Sequence, residues 1–189
     1  KKALFLSALE RAKIFSKDAP IYLSVSKDLE SQVWEAASNF DNITALVEPE
    51  NKGTGPAICL AALVSEAIQK DSFLLVMPAD LYIQDDNALL EAVNNSIDKA
   101  TSSWITFGIK PTFASIDLGY IETHLSQNQL SEVKAFIEKP QANLAKELIE
   151  KSNIFWNSGI FLSKASNIVD SFELLSNHTY KNGMDILAK

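Results

Sequence analysis

An acidic residue follows an apolar run near the middle of the chain, and this arrangement is the clearest sign of chemistry. Residues 73–77 are apolar throughout, as in a central strand of a parallel sheet, and the segment ends at Asp80. Open α/β sheets bind ligands beyond the carboxyl ends of their strands. A carboxylate at that place is a natural ligand for Mg²⁺ that carries the phosphates of a nucleotide. The first hypothesis is therefore an enzyme that handles phosphate groups.

Three further segments carry polar groups or glycines that a ligand site could use. The turn Lys52-Gly53-Thr54-Gly55-Pro56 precedes an apolar helix, so its main chain could approach a base edge or an anion. Glu138-Lys139 and Asn157-Ser158-Gly159 follow later in the chain. Each segment also has a simpler interpretation. They could be a Gly-Pro turn, a surface ion pair and a further turn, and Asp80 could be a helix N-cap.

Length and composition set limits on the class of protein. The chain has 189 residues, 47% of them hydrophobic, which predicts one domain over residues 1–189 because domains run to roughly 100–200 residues. Its apolar runs are far shorter than the roughly 20 residues that cross a bilayer. A formal net charge of −7 argues against nucleic-acid binding. An anionic small ligand stays possible, because one lysine and one Mg²⁺ reverse the potential locally.

The chain contains a single cysteine, Cys59. An internal disulfide is therefore excluded, which fits a reducing compartment and predicts a cytoplasmic protein. The neighbours of Cys59 are apolar, so we expect a buried thiol rather than a nucleophile.

The hydrophobic pattern alternates between strand and helix and predicts an α/β fold. We expect a three-layer α/β/α domain with a mixed, mostly parallel, Rossmann-like central sheet and a small antiparallel hairpin at its edge. The predicted helices cover residues 2–15, 26–39 with Ser26 as N-cap, 57–70 with Pro56 at the first helical position, 87–99, 140–151 and 165–175. The predicted strands cover 21–25, 43–46, 73–77, 104–109, 119–123, 130–138 and 155–162, with a hairpin turn at 126–129.

Six short motifs occur in a fixed order along almost the whole chain. They are Glu48-Pro49 with Thr54-Gly55-Pro56-Ala57-Ile58, Pro78-Ala79-Asp80, Gly108-Ile109-Lys110-Pro111-Thr112, Gly119-Tyr120-Ile121-Glu122, Phe136-Ile137-Glu138-Lys139-Pro140 and Trp156-Asn157-Ser158-Gly159-Ile160-Phe161. Together they resemble the sugar-nucleotide pyrophosphorylase family, and within it the mannose-1-phosphate guanylyltransferase branch. The last two motifs are the most specific.

The resemblance implies a reaction and a set of residue roles. The reaction is nucleotidyl transfer from GTP to mannose 1-phosphate, giving GDP-mannose and pyrophosphate with Mg²⁺ as cofactor. By resemblance, Asp80 binds the metal, Asp80 and Lys139 are catalytic, and the nucleotide contacts Thr54, Gly55 and Pro56. The sugar phosphate contacts Gly119, Glu138, Lys139, Asn157 and Gly159. A homo-oligomer is left open.

The sequence departs from the family pattern in several places. Lys52-Gly53 stands where the family has Arg-Asn, and Leu81 stands where it has a histidine. Residues 1–189 contain no Gly-rich loop of the form Gly-Gly-x-Gly-x-Arg-Leu-Trp-Pro and no match to the second metal-binding aspartate. We therefore expect the core of a longer enzyme, which folds by itself without catalysing.

Two alternatives remain at this point. One is a pyrophosphorylase for another base or sugar, such as glucose 1-phosphate. The other is a binding or regulatory module that keeps the nucleotidyltransferase fold without turnover, which Gly53 and Leu81 make credible.

Overall fold

The computed structural model describes residues 3–48, 50, 52–124 and 130–188. Its main-chain contacts divide the chain into two compact units. Unit 1 comprises Lys1–Trp104 with Leu162–Lys189, and unit 2 comprises Ile105–Phe161. No helix in the described part of the chain is long and apolar enough to cross a membrane.

Helices and strands alternate along most of the chain, as the hydrophobic pattern predicts. The helices are α1 Leu4–Ser16, α2 Glu30–Ala37, α3 Thr54–Ile68, α4 Asp86–Ala100, α5 Ala142–Ile149, α6 Ala165–Leu175 and α7 Asn177–Leu187. The strands are β1 Ile21–Ser26, β2 Ile43–Glu48, β3 Phe73–Val76, β4 Ile105–Ile109, β5 Tyr120–Thr123, β6 Val133–Ile137 and β7 Ile154–Lys164.

The predicted α/β class is confirmed, because the structure has both parallel and antiparallel strand pairs. In unit 1, β1 and β2 are parallel, and their register runs from Ile21 opposite Ile43 to Ser26 opposite Glu48. In unit 2, β5 pairs antiparallel with β6 and with β7, and β4 also pairs with β7. The predicted antiparallel hairpin is therefore present, while its predicted turn at 126–129 lies outside the described residues.

The core of unit 1 is built around α3, which is apolar on nearly every side. Helices α6 and α7 pack against it. In α7, a Cβ atom at Gly183 would lie 2.6 Å from Leu63 Cδ1, so a glycine lets the two helices approach closely. Buried side chains of α3 are Ile58, Cys59, Leu60, Ala62, Leu63 and Ser65.

Unit 2 buries one face of its antiparallel sheet under α5. Ala145 and Leu148 of the helix pack with Tyr120 of β5 and Ile154 of β7, and all four are almost fully buried. Because side chains alternate along a strand, the neighbours of these strand residues belong to the other face of the sheet.

Three helices begin elsewhere than predicted. Ser26, predicted to cap a helix, is the last residue of β1, and α2 begins only at Glu30. Pro56 is the third residue of α3, not the first. A proline is tolerated there because the first four N–H groups of a helix have no partner within the helix. The helix predicted to open at Pro140 begins at Ala142.

Candidate active site

Asp80 lies beyond β3 on an exposed turn. The strand ends at Val76, four residues before Asp80, so the predicted strand was too long at this end. Asp80 is not the N-cap of the next helix. That role belongs to Asp85, whose carboxylate accepts hydrogen bonds from the N–H groups of Asn87 and Ala88, both at 3.0 Å. The simpler interpretation of Asp80 as a cap is thereby excluded.

The side chains around Asp80 that could bind a metal ion determine which kind of metal site the chain can form. Among the described residues, no group of three or more His, Cys, Asp or Glu side chains comes together to hold a metal ion. Mg²⁺ is commonly bound by one or two carboxylates, with substrate phosphates and water as its other ligands. A single exposed carboxylate fits that mode of binding, in which the metal arrives with a nucleotide.

The predicted nucleotide-binding residues Thr54, Gly55 and Pro56 form the first turn of α3. Gly53 precedes them at the N-cap with φ 88°, a left-handed conformation that favours glycine, and it gives the helix no side-chain cap. A Cβ atom at Gly55 would lie 3.7 Å from the ring of Phe172, which is an ordinary contact. The positive end of the helix dipole therefore lies behind a turn of small residues.

Gly119 is the meeting point of the predicted sugar-side residues in unit 2. Tyr120 is opposite Ile137 in β6 and opposite Trp156 in β7. One residue further along, the same antiparallel register places Gly119 between Glu138 and Asn157. The contacts agree with this placement, since the N–H of Asn157 donates to the carbonyl oxygen of Gly119 at 2.8 Å.

Glu138 lies directly over Gly119. A Cβ atom at position 119 would come within 3.0 Å of Glu138 Oε2 and 3.2 Å of Phe136 Cζ. The missing side chain of Gly119 is therefore what leaves room for the carboxylate. Tyr120, Ile137 and Trp156 belong to the face that packs with α5, so Glu138 and Asn157 belong to the opposite face.

The side chain of Asn157 is held by two hydrogen bonds. Its Oδ1 accepts from the hydroxyl of Thr106 and from the N–H of Gly159, both at 3.2 Å. Gly159 has φ 73°, a left-handed conformation within β7 that suits a residue without Cβ. We call Gly119, Glu138, Lys139, Asn157 and Gly159 the Gly119 cluster.

Lys139 has an unusual main-chain conformation. Its φ is 42°, although it is neither glycine nor asparagine and directly precedes Pro140. Its Nζ lies 3.8 Å from Glu138 Oε1, and both side chains are more than 60% exposed. An exposed ion pair of this kind contributes roughly 0–1 kcal/mol. Strained backbone is concentrated at functional sites, so the conformation marks Lys139 for attention.

Two residues near the cluster make contacts that the sequence did not predict. Thr106 bonds to Asn157, and Tyr120 is fully buried with its hydroxyl bonded to both the N–H and the carbonyl oxygen of Ser115, at 2.8 Å each. Tyr120 thereby fixes the segment that leads into Gly119. The glycine-tyrosine motif pointed to this position, whereas the contact of Thr106 depends on how β4 pairs with β7.

Hydrogen bonding shifts the pKa of Glu122, and burial shifts the pKa of Cys59. A hydrogen bond from Lys134 at 2.9 Å lowers the pKa of Glu122. Burial raises the pKa of the Cys59 thiol to about 11. Cys59 is completely buried, as predicted, and a thiol with this pKa is protonated at neutral pH.

Comparison with known proteins defines the class. The nucleotidyl transferase family matches residues 4–183, so this chain belongs to that family. The resemblance inferred from the motifs is therefore confirmed at the level of the family, and the mixed α/β fold agrees with it.

Two of the matching relatives are named mannose-1-phosphate guanylyltransferases. The chain is 32% identical over 188 residues to mannose-1-phosphate guanylyltransferase RfbM of Salmonella typhimurium, covering 96% of this chain and 39% of the relative. It is 37% identical over 141 residues to a mannose-1-phosphate guanylyltransferase of Salmonella muenchen, covering 72% and 30%.

A solved structure shows the same fold over nearly the whole chain. The crystal structure of mannose-1-phosphate geranyltransferase from Thermus thermophilus is 27% identical, with a TM-score of 0.87, covering 99% of this chain and 55% of that one. The chain spans about two fifths or less of the length of the two curated relatives.

Proposed function

We propose that the protein transfers a guanylyl group from GTP to mannose 1-phosphate, giving GDP-mannose and pyrophosphate. Family membership and the names of the relatives support this reaction. The observation that carries it is the meeting of Glu138 and Asn157 on one face of the sheet at Gly119. These two polar side chains come from separate motifs, and a sugar with several hydroxyls needs such a set of groups.

The reaction joins the phosphate of the sugar to the α-phosphorus of GTP. An oxygen of mannose 1-phosphate attacks that phosphorus while the bond to the β-phosphate breaks, and pyrophosphate leaves with the electron pair. Proteins accelerate such steps mainly by positioning the reactants and neutralising charge. Thr54, Gly55 and Pro56 would frame the guanine, because small residues at a helix N-terminus let the base approach the main chain.

The sugar phosphate would be held by the Gly119 cluster. Glu138 accepts hydrogen bonds from neighbouring hydroxyls, since an ionised carboxylate only accepts. Lys139 would lie against the phosphate as a point charge. Gly119 and Gly159 present main chain without a side chain, so the sugar ring can come close to it.

We propose Mg²⁺ as the cofactor and Asp80 as its protein ligand. The bound ion would neutralise phosphate charge during the transfer. Asp80 suits this role because its carboxylate is exposed beyond β3 and is not used to cap α4. We also propose a cytoplasmic location, which the single buried thiol favours. Assembly into a homo-oligomer stays a prediction.

The proposed reaction is tested by assaying the full-length gene product. GTP, ATP and UTP are each combined with mannose 1-phosphate or glucose 1-phosphate, with Mg²⁺ present, and pyrophosphate release is measured. The proposal predicts the highest kcat/KM for GTP with mannose 1-phosphate. A preference for another pair would assign the protein to a different branch. Binding of both substrates without turnover would support the non-catalytic module.

Asp80→Asn tests the metal ligand in the same assay. Loss of a charge-stabilising contact lowers kcat by about a hundredfold or more, and that is the expected result here. Asp85→Asn is the matched control, because asparagine caps a helix about as well as aspartate does. Near-normal turnover of Asp80→Asn would show that Asp80 is not the metal ligand.

A further inference from the structure

The carboxamide of Asn157 is held in one orientation by its neighbours. Its Oδ1 accepts one hydrogen bond from the side chain of Thr106 and one from the main chain of Gly159, each at 3.2 Å. The carboxamide oxygen has two lone pairs, so these bonds use its accepting capacity. Nδ2 has no hydrogen-bond partner among the described residues, which leaves the NH₂ end of the group for other contacts.

The assignment of oxygen and nitrogen follows from the partners. The N–H of Gly159 only donates, so the Asn157 atom that faces it must be an acceptor. Rotating the carboxamide by 180° would set the NH₂ group against that N–H, and two donors would face each other. The hydroxyl of Thr106 supports the same assignment of the oxygen, because it can donate a hydrogen bond to Oδ1. The main chain and Thr106 thus select the same rotamer.

From this geometry we propose that Thr106 is a positioning residue. Together with the N–H of Gly159, it holds the carboxamide of Asn157 so that this group can only donate a hydrogen bond to a ligand. The inference rests on the proposed function, and it specifies how the Gly119 cluster distinguishes substrates. Glu138 can only accept and Asn157 can only donate. The pair therefore contacts a sugar through one hydroxyl that donates a hydrogen bond to Glu138 and one oxygen that accepts a hydrogen bond from Asn157.

The contact to Asn157 requires an acceptor oxygen of the ligand. A sugar hydroxyl offers its oxygen lone pairs, and a phosphate oxygen would offer the same chemistry. We assign the contact to a hydroxyl, because Lys139 is the cationic residue of the cluster and is better suited to the phosphate. The experiment must therefore separate a hydroxyl from the phosphate.

The first experiment compares Thr106→Val with Thr106→Ser. Valine keeps the shape and removes the hydroxyl, whereas serine keeps the hydroxyl. Titration calorimetry with mannose 1-phosphate should show Kd raised about fivefold to tenfold in Thr106→Val, the usual effect of one lost neutral hydrogen bond, and within about twofold of wild type in Thr106→Ser. The Kd for GTP with Mg²⁺ should not change. Equal losses in both variants would contradict the proposal.

The second experiment uses deoxy and deoxyfluoro analogues of mannose 1-phosphate, changed at one ring position at a time. A C–F group accepts weakly and cannot donate, and a C–H group does neither. At the position that contacts Asn157, affinity should fall in the order OH, F, H, and Thr106→Val should abolish the difference between F and H. If no ring position depends on Thr106, the hydroxyl assignment is wrong and the contact goes to the phosphate.

A third measurement needs no substrate. The side-chain NH₂ signals of Asn157 in a ¹⁵N–¹H spectrum of the ligand-free protein report how firmly the carboxamide is held. Thr106→Val should shift these signals and reduce their order parameter, while Thr106→Ser should leave them near their wild-type values. Unchanged signals in Thr106→Val would overturn the positioning role. A firm carboxamide in a protein that does not bind mannose 1-phosphate would instead contradict the proposed function alone.

Discussion

Gly119 shows how the absence of a side chain shapes the candidate site. The space that a Cβ atom of residue 119 would fill is taken by the carboxylate of Glu138 and the ring of Phe136. The carbonyl oxygen of Gly119 accepts a hydrogen bond from the main-chain N–H of Asn157. Phe136 is about half exposed, so the cluster can be reached from solvent. The candidate site is therefore built from main chain and from the polar side chains of Glu138, Lys139 and Asn157.

Gly119→Ala should impair the cluster while leaving the fold intact. The new methyl group would lie 3.0 Å from Glu138 Oε2, which is the end of a flexible side chain and can move away. We expect a change in the free energy of unfolding within about 0.5 kcal/mol, because the neighbouring Glu138 and Phe136 side chains are exposed and can move. KM for mannose 1-phosphate should rise about tenfold, because a displaced charged acceptor loses its hydrogen bond.

Kinetics with each substrate varied in turn check this prediction, and Leu118→Ala at the neighbouring exposed position is the control. An equal rise in KM for GTP would mean that the change is not confined to the sugar side. An unchanged KM for mannose 1-phosphate would remove Gly119 and Glu138 from the proposed contacts.

Lys139 combines a charge with a strained main chain, and two variants separate these properties. Lys139→Ala and Lys139→Gly both remove the ammonium group, so both should weaken mannose 1-phosphate binding equally. They differ in backbone strain, since alanine in the left-handed region costs about 1 kcal/mol and glycine adopts it freely. Urea denaturation should therefore show Lys139→Gly more stable than Lys139→Ala by about 1 kcal/mol.

Each half of that prediction can fail separately. Equal stabilities would contradict the left-handed conformation at position 139. Retained affinity in both variants would show that Lys139 is only the exposed partner of Glu138 and does not bind phosphate.

At the scale of elements, close packing of β4 on β7 depends on Gly108. A Cβ atom there would lie 2.7 Å from Phe155 Cβ and 3.0 Å from Phe155 Cγ. These atoms are near the main chain of β7 and cannot turn away as the end of a side chain can. Thr106, two residues earlier in β4, makes the hydrogen bond to Asn157, so this packing also supports the Gly119 cluster.

Gly108→Ala should destabilise the protein through overpacking, by about 1–3 kcal/mol. The matched control is Gly55→Ala, whose Cβ would make an ordinary 3.7 Å contact with Phe172. For Gly55→Ala we expect a change in the free energy of unfolding within about 0.5 kcal/mol. Urea denaturation compares the two, and equal stability would show that β7 yields at Phe155.

The sequence was sufficient to predict elements whose pattern is local. The apolar pattern of α6 gave its limits, Ala165–Leu175, and the antiparallel hairpin of β5 and β6 followed from alternation. It was not sufficient for α7, because most residues of 177–187 are polar and the stretch contains Gly183. That helix is held by its packing on α3, where the glycine avoids Leu63, and no local pattern reports such a contact.

The same distinction applies to the candidate site. Glu138, Lys139 and Asn157 were found because their motifs resemble those of a known family. Thr106 carries no motif of its own, and its role depends on the pairing between strands that lie far apart in the chain. The exclusion of Asp80 as a cap likewise required the hydrogen bonds of Asp85.

For the protein as a whole, the buried thiol of Cys59 in unit 1 makes the free energy of unfolding depend on pH. Burial raises the pKa of its thiol to about 11, whereas an unfolded cysteine titrates near roughly 8.5. The folded state therefore holds its proton more tightly. The stability that this provides is fully present below the pKa of the thiol in the unfolded chain. It is lost as the pH rises toward about 11, the pKa of the thiol in the folded protein. Burial also raises the pKa of Tyr22, which adds to the same trend.

Cys59→Ala should remove part of this alkaline loss of stability. We expect the difference in unfolding free energy between wild type and variant to be constant up to about pH 8 and to shrink above it, since thiolate forms only in the unfolded wild type. Native protein should also react with Ellman's reagent only as fast as it unfolds. Rapid reaction of the folded protein would contradict the burial of Cys59.

In the proposed function, the first turn of α3 contacts the nucleotide and the Gly119 cluster contacts the sugar phosphate. Amide chemical-shift mapping of the ¹⁵N-labelled protein tests both contacts in one measurement. Mannose 1-phosphate should shift the amide signals of Gly119, Glu138, Lys139, Asn157 and Gly159. GTP with Mg²⁺ should shift those of Thr54, Gly55 and Asp80. If mannose 1-phosphate instead shifts the residues of the α3 turn, or leaves the Gly119 cluster unchanged at saturating concentration, the Gly119 cluster does not bind the sugar phosphate.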